Sequence, residues 1–141
     1  PKEIRRFIIV GVCGGPEGPS SSVLVEAAGA MRQYYNILNW ETASVQLDMV
    51  PLRDAKFSSV TFVPPLHEPG HSIAMARAGD LAKRAAAHGL RFGVTNINTQ
   101  ADLAAALRAG VHIHTGAYIS GDVEQITPRV GIKPSQLPLK A

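Results

Sequence analysis

The stretch LRFGVTNINTQADLAAALRAGVHIHTGAYISGD, residues 90–122, holds four kinds of local signal in one short span and so limits the folds open to the whole chain. Residues 90–94 are a short apolar run suited to a buried strand. Thr99 followed three residues later by Asp102 has the pattern of a capping box, and Leu103 and Leu107 recur behind it at helical spacing. Gly110 closes that helix, residues 111–114 read as a second strand, and the loop after it carries Thr115, Gly116 and Tyr118. A strand, a helix and a strand joined this tightly make one step of a parallel α/β fold, which receives ligands at the loops that follow its strands.

Upstream the same step recurs. Residues 6–13 read as a strand, 14–19 as a turn rich in Gly and Pro, and 23–35 as an amphipathic helix on Leu24, Ala27, Ala28, Met31 and Tyr35, with Ser20 to Ser22 as candidate N-caps. A strand is predicted over 43–47, a loop over 51–55, a strand over 58–63, a proline-rich loop over 64–70 and a helix over 73–88. The alternation predicts an α/β fold with a mainly parallel sheet and covering helices. It assigns one domain to residues 1–125 and an irregular tail, with Pro128, Pro134 and Pro138, to residues 126–141.

Composition narrows the function classes. With 141 residues, 45% hydrophobic and 18% charged, the chain can bury a core. No apolar run approaches the roughly 20 residues of a membrane span, and the basic N-terminal residues precede no signal-like run, so a cytoplasmic location without a membrane span is expected. The net charge of +3 is scattered, and the 6% aromatics do not interleave with Lys or Arg, which argues against nucleic acid as a partner. The single cysteine, Cys13, excludes an intrachain disulfide framework, and its apolar neighbours predict a buried, inert thiol.

Several motifs invite chemistry and lack a necessary part. The loop GVCGGPEGPS at 11–20 lies between a strand and a helix, where an anion can be cradled, but it has no GxxxxGK[ST] pattern, and Pro16 and Pro19 remove two backbone donors. His67-Glu68-Pro69-Gly70-His71 fits HExxH, whose zinc chemistry needs both histidines on one helical turn. Pro69 and Gly70 predict a turn there, and hence exposed loop histidines ahead of the next helix. His112 and His114 are two apart on a strand and face one way, which suits packing more than a metal site with no further ligands. No metal and no cofactor is expected.

The stretch 90–122 resembles the last part of the EAL domain, a barrel that hydrolyses or senses cyclic di-GMP. The family's AEGVET corresponds to Val94-Thr95-Asn96-Ile97-Asn98-Thr99, and its QGYxF to Thr115-Gly116-Ala117-Tyr118-Ile119. Upstream, residues 7–12 can be laid on the EITE strand, Gln46-Leu47-Asp48-Met49 on LDDFG, and 60–63 on the KID strand. The resemblance implies the C-terminal part of a TIM-like barrel. A complete barrel takes about 250 residues, so the chain would be an excised C-terminal portion, a half-barrel completed by another chain, or a smaller open α/β sheet that resembles the family locally; in an incomplete barrel the open sheet edges would have to be covered by pairing or by the tail, and a homo-oligomer is expected.

Where the family places carboxylates, an Asn and a Lys around metal-bound water, this chain has Gly11, Met49, Thr61, Thr95, Asn98 and Thr115. None of these replaces a carboxylate or an ammonium there, and Asp48 alone cannot hold two divalent cations. The resemblance therefore implies no enzyme and no catalytic residue: a degenerate EAL-like regulatory or scaffolding domain that works through protein-protein contacts. The alternative is a sensor that binds cyclic di-GMP or another phosphorylated ligand without hydrolysis, through Asp48, Asn96, Asn98, Thr115 and Tyr118. Its binding is expected to be weak, because no Arg or Lys fork stands with them. A third class, an enzyme of unrelated chemistry, would have Asp48, His67 and His114 as its acid and base candidates.

Overall fold

Hydrogen-bonded strand pairing in this chain follows sequence order without a break. A computed structural model describes residues 8–14, 20–67, 70–116 and 118–119. They form β1 (Ile9–Cys13), α1 (Ser21–Arg32), β2 (Ile37–Thr42), α2 (Val50–Asp54), β3 (Ser59–Phe62), α3 (Gly70–Ala87), β4 (Arg91–Val94), α4 (Gln100–Arg108) and β5 (Ile113–His114). The five strands make one sheet in the order β1-β2-β3-β4-β5, and every neighbouring pair is parallel. This is the α/β fold that the alternation predicted. Since parallel crossovers share one hand, an unbroken sequential order brings all the helices to the same face of the sheet.

The pleat sorts the side chains accordingly. Leu38 and Trp40 of β2, Val60 and Phe62 of β3, and Phe92 and Val94 of β4 are buried and stand in register on the face toward the helices. They pack with Leu24 and Ala28 of α1, Leu52 of α2, Met75, Ala78 and Leu81 of α3, and Leu103 and Ala106 of α4. Trp40 also meets Phe57 edge-on, with ring centroids 5.9 Å apart. The other face carries Gly11, Asn39, Ser59 and Arg91 in one row, and Cys13, Glu41, Thr61, Gly93 and Ile113 in the next. No described helix packs on it.

The second strand is Ile37–Thr42, not 43–47. Lying between β1 and β3, β2 has a nearly continuous buried run in place of alternation, and periodicity alone does not mark such a strand. It ends where Thr42 Oγ1 accepts the Ser44 amide at 2.9 Å. The expected loop at 51–55 is largely α2: Pro51 sits in its first turn, and Asp48 Oδ1 accepts the Val50 amide at 2.9 Å. α3 starts at Gly70, three residues before the expected start, because the His71 amide already bonds the His67 carbonyl at 3.1 Å. Cys13 is exposed, not buried, because β1 ends the sheet and Cys13 points to the face away from the helices. The tail assigned to 126–141 lies outside the described residues.

Candidate functional site

The loops after β3, β4 and β5 meet at one end of the sheet and are held together by backbone and side-chain hydrogen bonds. The Thr95 amide bonds the Phe62 carbonyl at 3.0 Å, and the Thr115 amide bonds the Val94 carbonyl at 3.1 Å, which extends the ladder past the strand ends. The Ile97 amide donates to the Thr115 carbonyl at 3.1 Å, and the Tyr118 amide returns a bond to the Ile97 carbonyl at 3.0 Å. Asn96 adopts a left-handed conformation with φ 57°, which Asn tolerates better than most residues. Its Nδ2 donates to the Pro64 carbonyl at 3.0 Å.

Beneath this rim lies a buried contact between a histidine and an aspartate that the sequence did not reveal. His71, in the first turn of α3, and Asp102, in the first turn of α4, are 5% and 7% exposed. His71 Nδ1 lies 2.8 Å from the Pro65 carbonyl, which can only accept, so Nδ1 carries a proton. His71 Nε2 is 3.0 Å from Asp102 Oδ1 and makes no directed hydrogen bond. Asp102 Oδ2 accepts the Thr99 amide at 2.9 Å and the Asn98 amide at 3.2 Å, while Thr99 Oγ1 accepts the Asp102 amide at 3.1 Å. The capping box expected from the sequence is thus formed, and its carboxylate has a second task. Burial pushes the Asp102 carboxyl upward. The bonds from Thr99 and Asn98, with the neighbouring His71, outweigh it and leave the group below the usual Asp value.

At the far side of the same end, Cys13 donates its thiol to Glu41 Oε2 at 3.4 Å, and that bond, with the Glu41 charge, raises the thiol above its ordinary range. Cys13, Gly14, Glu41, Thr42, Ala43 and Val63 line a shallow cavity of about 260 Å³. A larger one of about 330 Å³ lies in the helix layer between α3 and α4, bordered by Met75, Gly79, Lys83, Ala105 and Arg108. On the sheet itself Asn39 Oδ1 accepts from Ser59 Oγ at 2.8 Å and Thr61 Oγ1 at 3.0 Å, a closed polar row on the face away from the helices.

Of the five residues singled out for ligand binding, Asn96, Asn98, Thr115 and Tyr118 come together on the zipped loops after β4 and β5. The Asn98 and Thr115 side chains are exposed, and Asn96 is committed to Pro64. Asp48 stands apart. The neighbouring Leu47 carbonyl is held by Arg84 Nη1 at 3.3 Å, in the last turn of α3, which is the opposite end of the sheet from the rim. There Asp48 accepts the amide of Val50, the first residue of α2.

Of the HExxH pair, His71 is helical and buried while His67 is exposed. That corrects the expectation of two exposed loop histidines. Of the other pair, His112 precedes β5 and is exposed. His114 is half-buried with its Nδ1 unpartnered, and burial, against a backbone bond at Val111 and with His112 adding, holds its ring below the usual histidine value. Among the described residues no three His, Cys, Asp or Glu side chains converge as a metal cluster would require. No described helix is long and apolar enough to cross a membrane. Neither a scan against protein-family models nor a search of curated proteins finds a match to the chain.

Proposed function

We propose that the chain is a non-catalytic regulatory or scaffolding domain, similar to the C-terminal part of an EAL barrel, that acts through protein contacts made by the sheet on the side where no described helix packs. The observation that carries this reading is the one-sided covering of the sheet. Five sequential parallel strands have every described helix on one face. Parallel sheets are ordinarily buried on both. In a closed barrel of eight strands the second face turns inward and fills with side chains; the described residues supply five strands. Here that face ends in exposed Ile9 and Ile113, 59% and 40% accessible, at its two edges. Burying them against another chain is the ordinary way to complete such a layer.

The strand ends support the non-catalytic half of the reading. Glu41 is engaged by Cys13, Asn96 by Pro64, and Asp102 by His71 and the α4 cap. The experiment is sedimentation equilibrium. A mass above one 15.0 kDa chain is expected at micromolar protein, and the mass of a single chain over a broad concentration range would overturn the reading.

A further inference from the structure

We infer that β1 of one chain pairs antiparallel with β1 of a second copy about a twofold axis through Gly11, joining two five-stranded sheets edge to edge. The inference rests on the reading above that the domain acts through protein contacts, and it places one such contact at the β1 edge of the sheet, with a second copy as the partner. The two sheet edges differ. β5 has two residues, and a short edge is one of the ways proteins protect themselves from pairing. β1 has five residues, Ile9-Val10-Gly11-Val12-Cys13, with no Lys, Arg, Asp, Glu or Pro to discourage a neighbour. It pairs with β2 along its whole length, and among the described residues nothing pairs with its outer side.

The sequence of β1 suits a copy of itself. With Gly11 opposite Gly11, Val10 faces Val12 of the partner and Ile9 faces Cys13 of the partner, so every cross-strand pair is apolar and no like charges oppose each other within the strand. A twofold axis makes this an isologous contact that closes at two chains. One group opposes it. The Glu41 carboxylate leans over Gly11, with Oε1 2.7 Å from where a Cβ on Gly11 would stand, so two such carboxylates approach across the axis. Glu41→Gln is therefore expected to tighten association by about two- to fivefold.

Disulfide trapping tests the register. Cys13 is the only cysteine, so Ile9→Cys adds the one sulfur that this pairing places opposite it. Opposed residues of antiparallel strands have Cα atoms about 4.5–5.5 Å apart, within disulfide reach. Residues 9 and 13 of one strand are about 13 Å apart, as are the two Cys13 residues of the pair, and neither can bridge. Oxidation of Ile9→Cys with copper–phenanthroline is expected to give a covalent dimer reversible by thiol, while the parent chain gives little. Ile9→Lys, at an exposed position that leaves the fold intact, is expected to weaken association at least tenfold. A sedimentation mass above one chain, with no trapped dimer in Ile9→Cys or with the mass unchanged in Ile9→Lys, overturns this edge and leaves the contact reading standing. A single-chain mass throughout overturns both.

Discussion

Gly116→Ala is expected to destabilise the fold by roughly 3 kcal/mol, lowering the thermal midpoint by about 10 °C. Gly116 has φ 153°, and a Cβ there would stand 2.2 Å from the Ile97 carbonyl oxygen and 2.3 Å from the Ile97 nitrogen. Both are backbone atoms. They cannot swing away as a side chain can, so the loops after β4 and β5 must separate and give up the bonds from Ile97 to Thr115 and from Tyr118 to Ile97. Gly29 in α1 is the control, because a Cβ there meets nothing within 4 Å. Gly29→Ala should gain about 0.5–1 kcal/mol from helix propensity. Denaturant unfolding of both variants checks the pair, and equal stabilities would show that the loops are not zipped as described.

Asp102→Ala is expected to cost about 3–5 kcal/mol, since it strips a buried partner from His71 and also removes half of the capping box. The same carboxylate gives stability a pH dependence of defined sign. Its folded value lies below its unfolded one, so the unfolded chain binds the proton more readily and protonation favours unfolding. The contribution is complete above the unfolded Asp value of about 3.9 and is lost as pH falls through the lower folded value. Denaturation of wild type and Asp102→Asn, followed from pH 6 to pH 2, should show the difference between them shrinking below about pH 4. A constant difference would mean that Asp102 is not held ionised by Thr99, Asn98 and His71.

What the sequence disclosed depended on how local each signal was. The Thr99–Asp102 box, the Leu103 face of α4 and the turn at Gly110 lie within a dozen residues of one another, and each appears as expected. β2 was misplaced because burial between two strands erases the period that marks a half-buried strand, and the run ILNWET offers no alternation to count. α2 was missed because Pro51 signals a break as readily as a first helical turn.

The site was legible only in part. Asn96, Asn98, Thr115 and Tyr118 share the stretch that announced the fold, so their meeting on adjacent loops followed from one βαβ step. The His71–Asp102 pair and the Cys13–Glu41 contact join residues from different steps of the sheet, and only the crossovers bring them together. Pro69 and Gly70 suggest a turn, but Gly70 opens α3 and His71 is helical. They could not foretell that His71 would turn inward toward α4.

A non-catalytic domain leaves unchanged the nucleotide that the EAL resemblance suggests. Purified chain incubated with cyclic di-GMP and Mg²⁺ or Mn²⁺, and followed by chromatography of the nucleotide, is expected to return the substrate intact. Hydrolysis above the protein-free rate that is abolished by Glu41→Gln or by Asp48→Ala would contradict the non-catalytic reading.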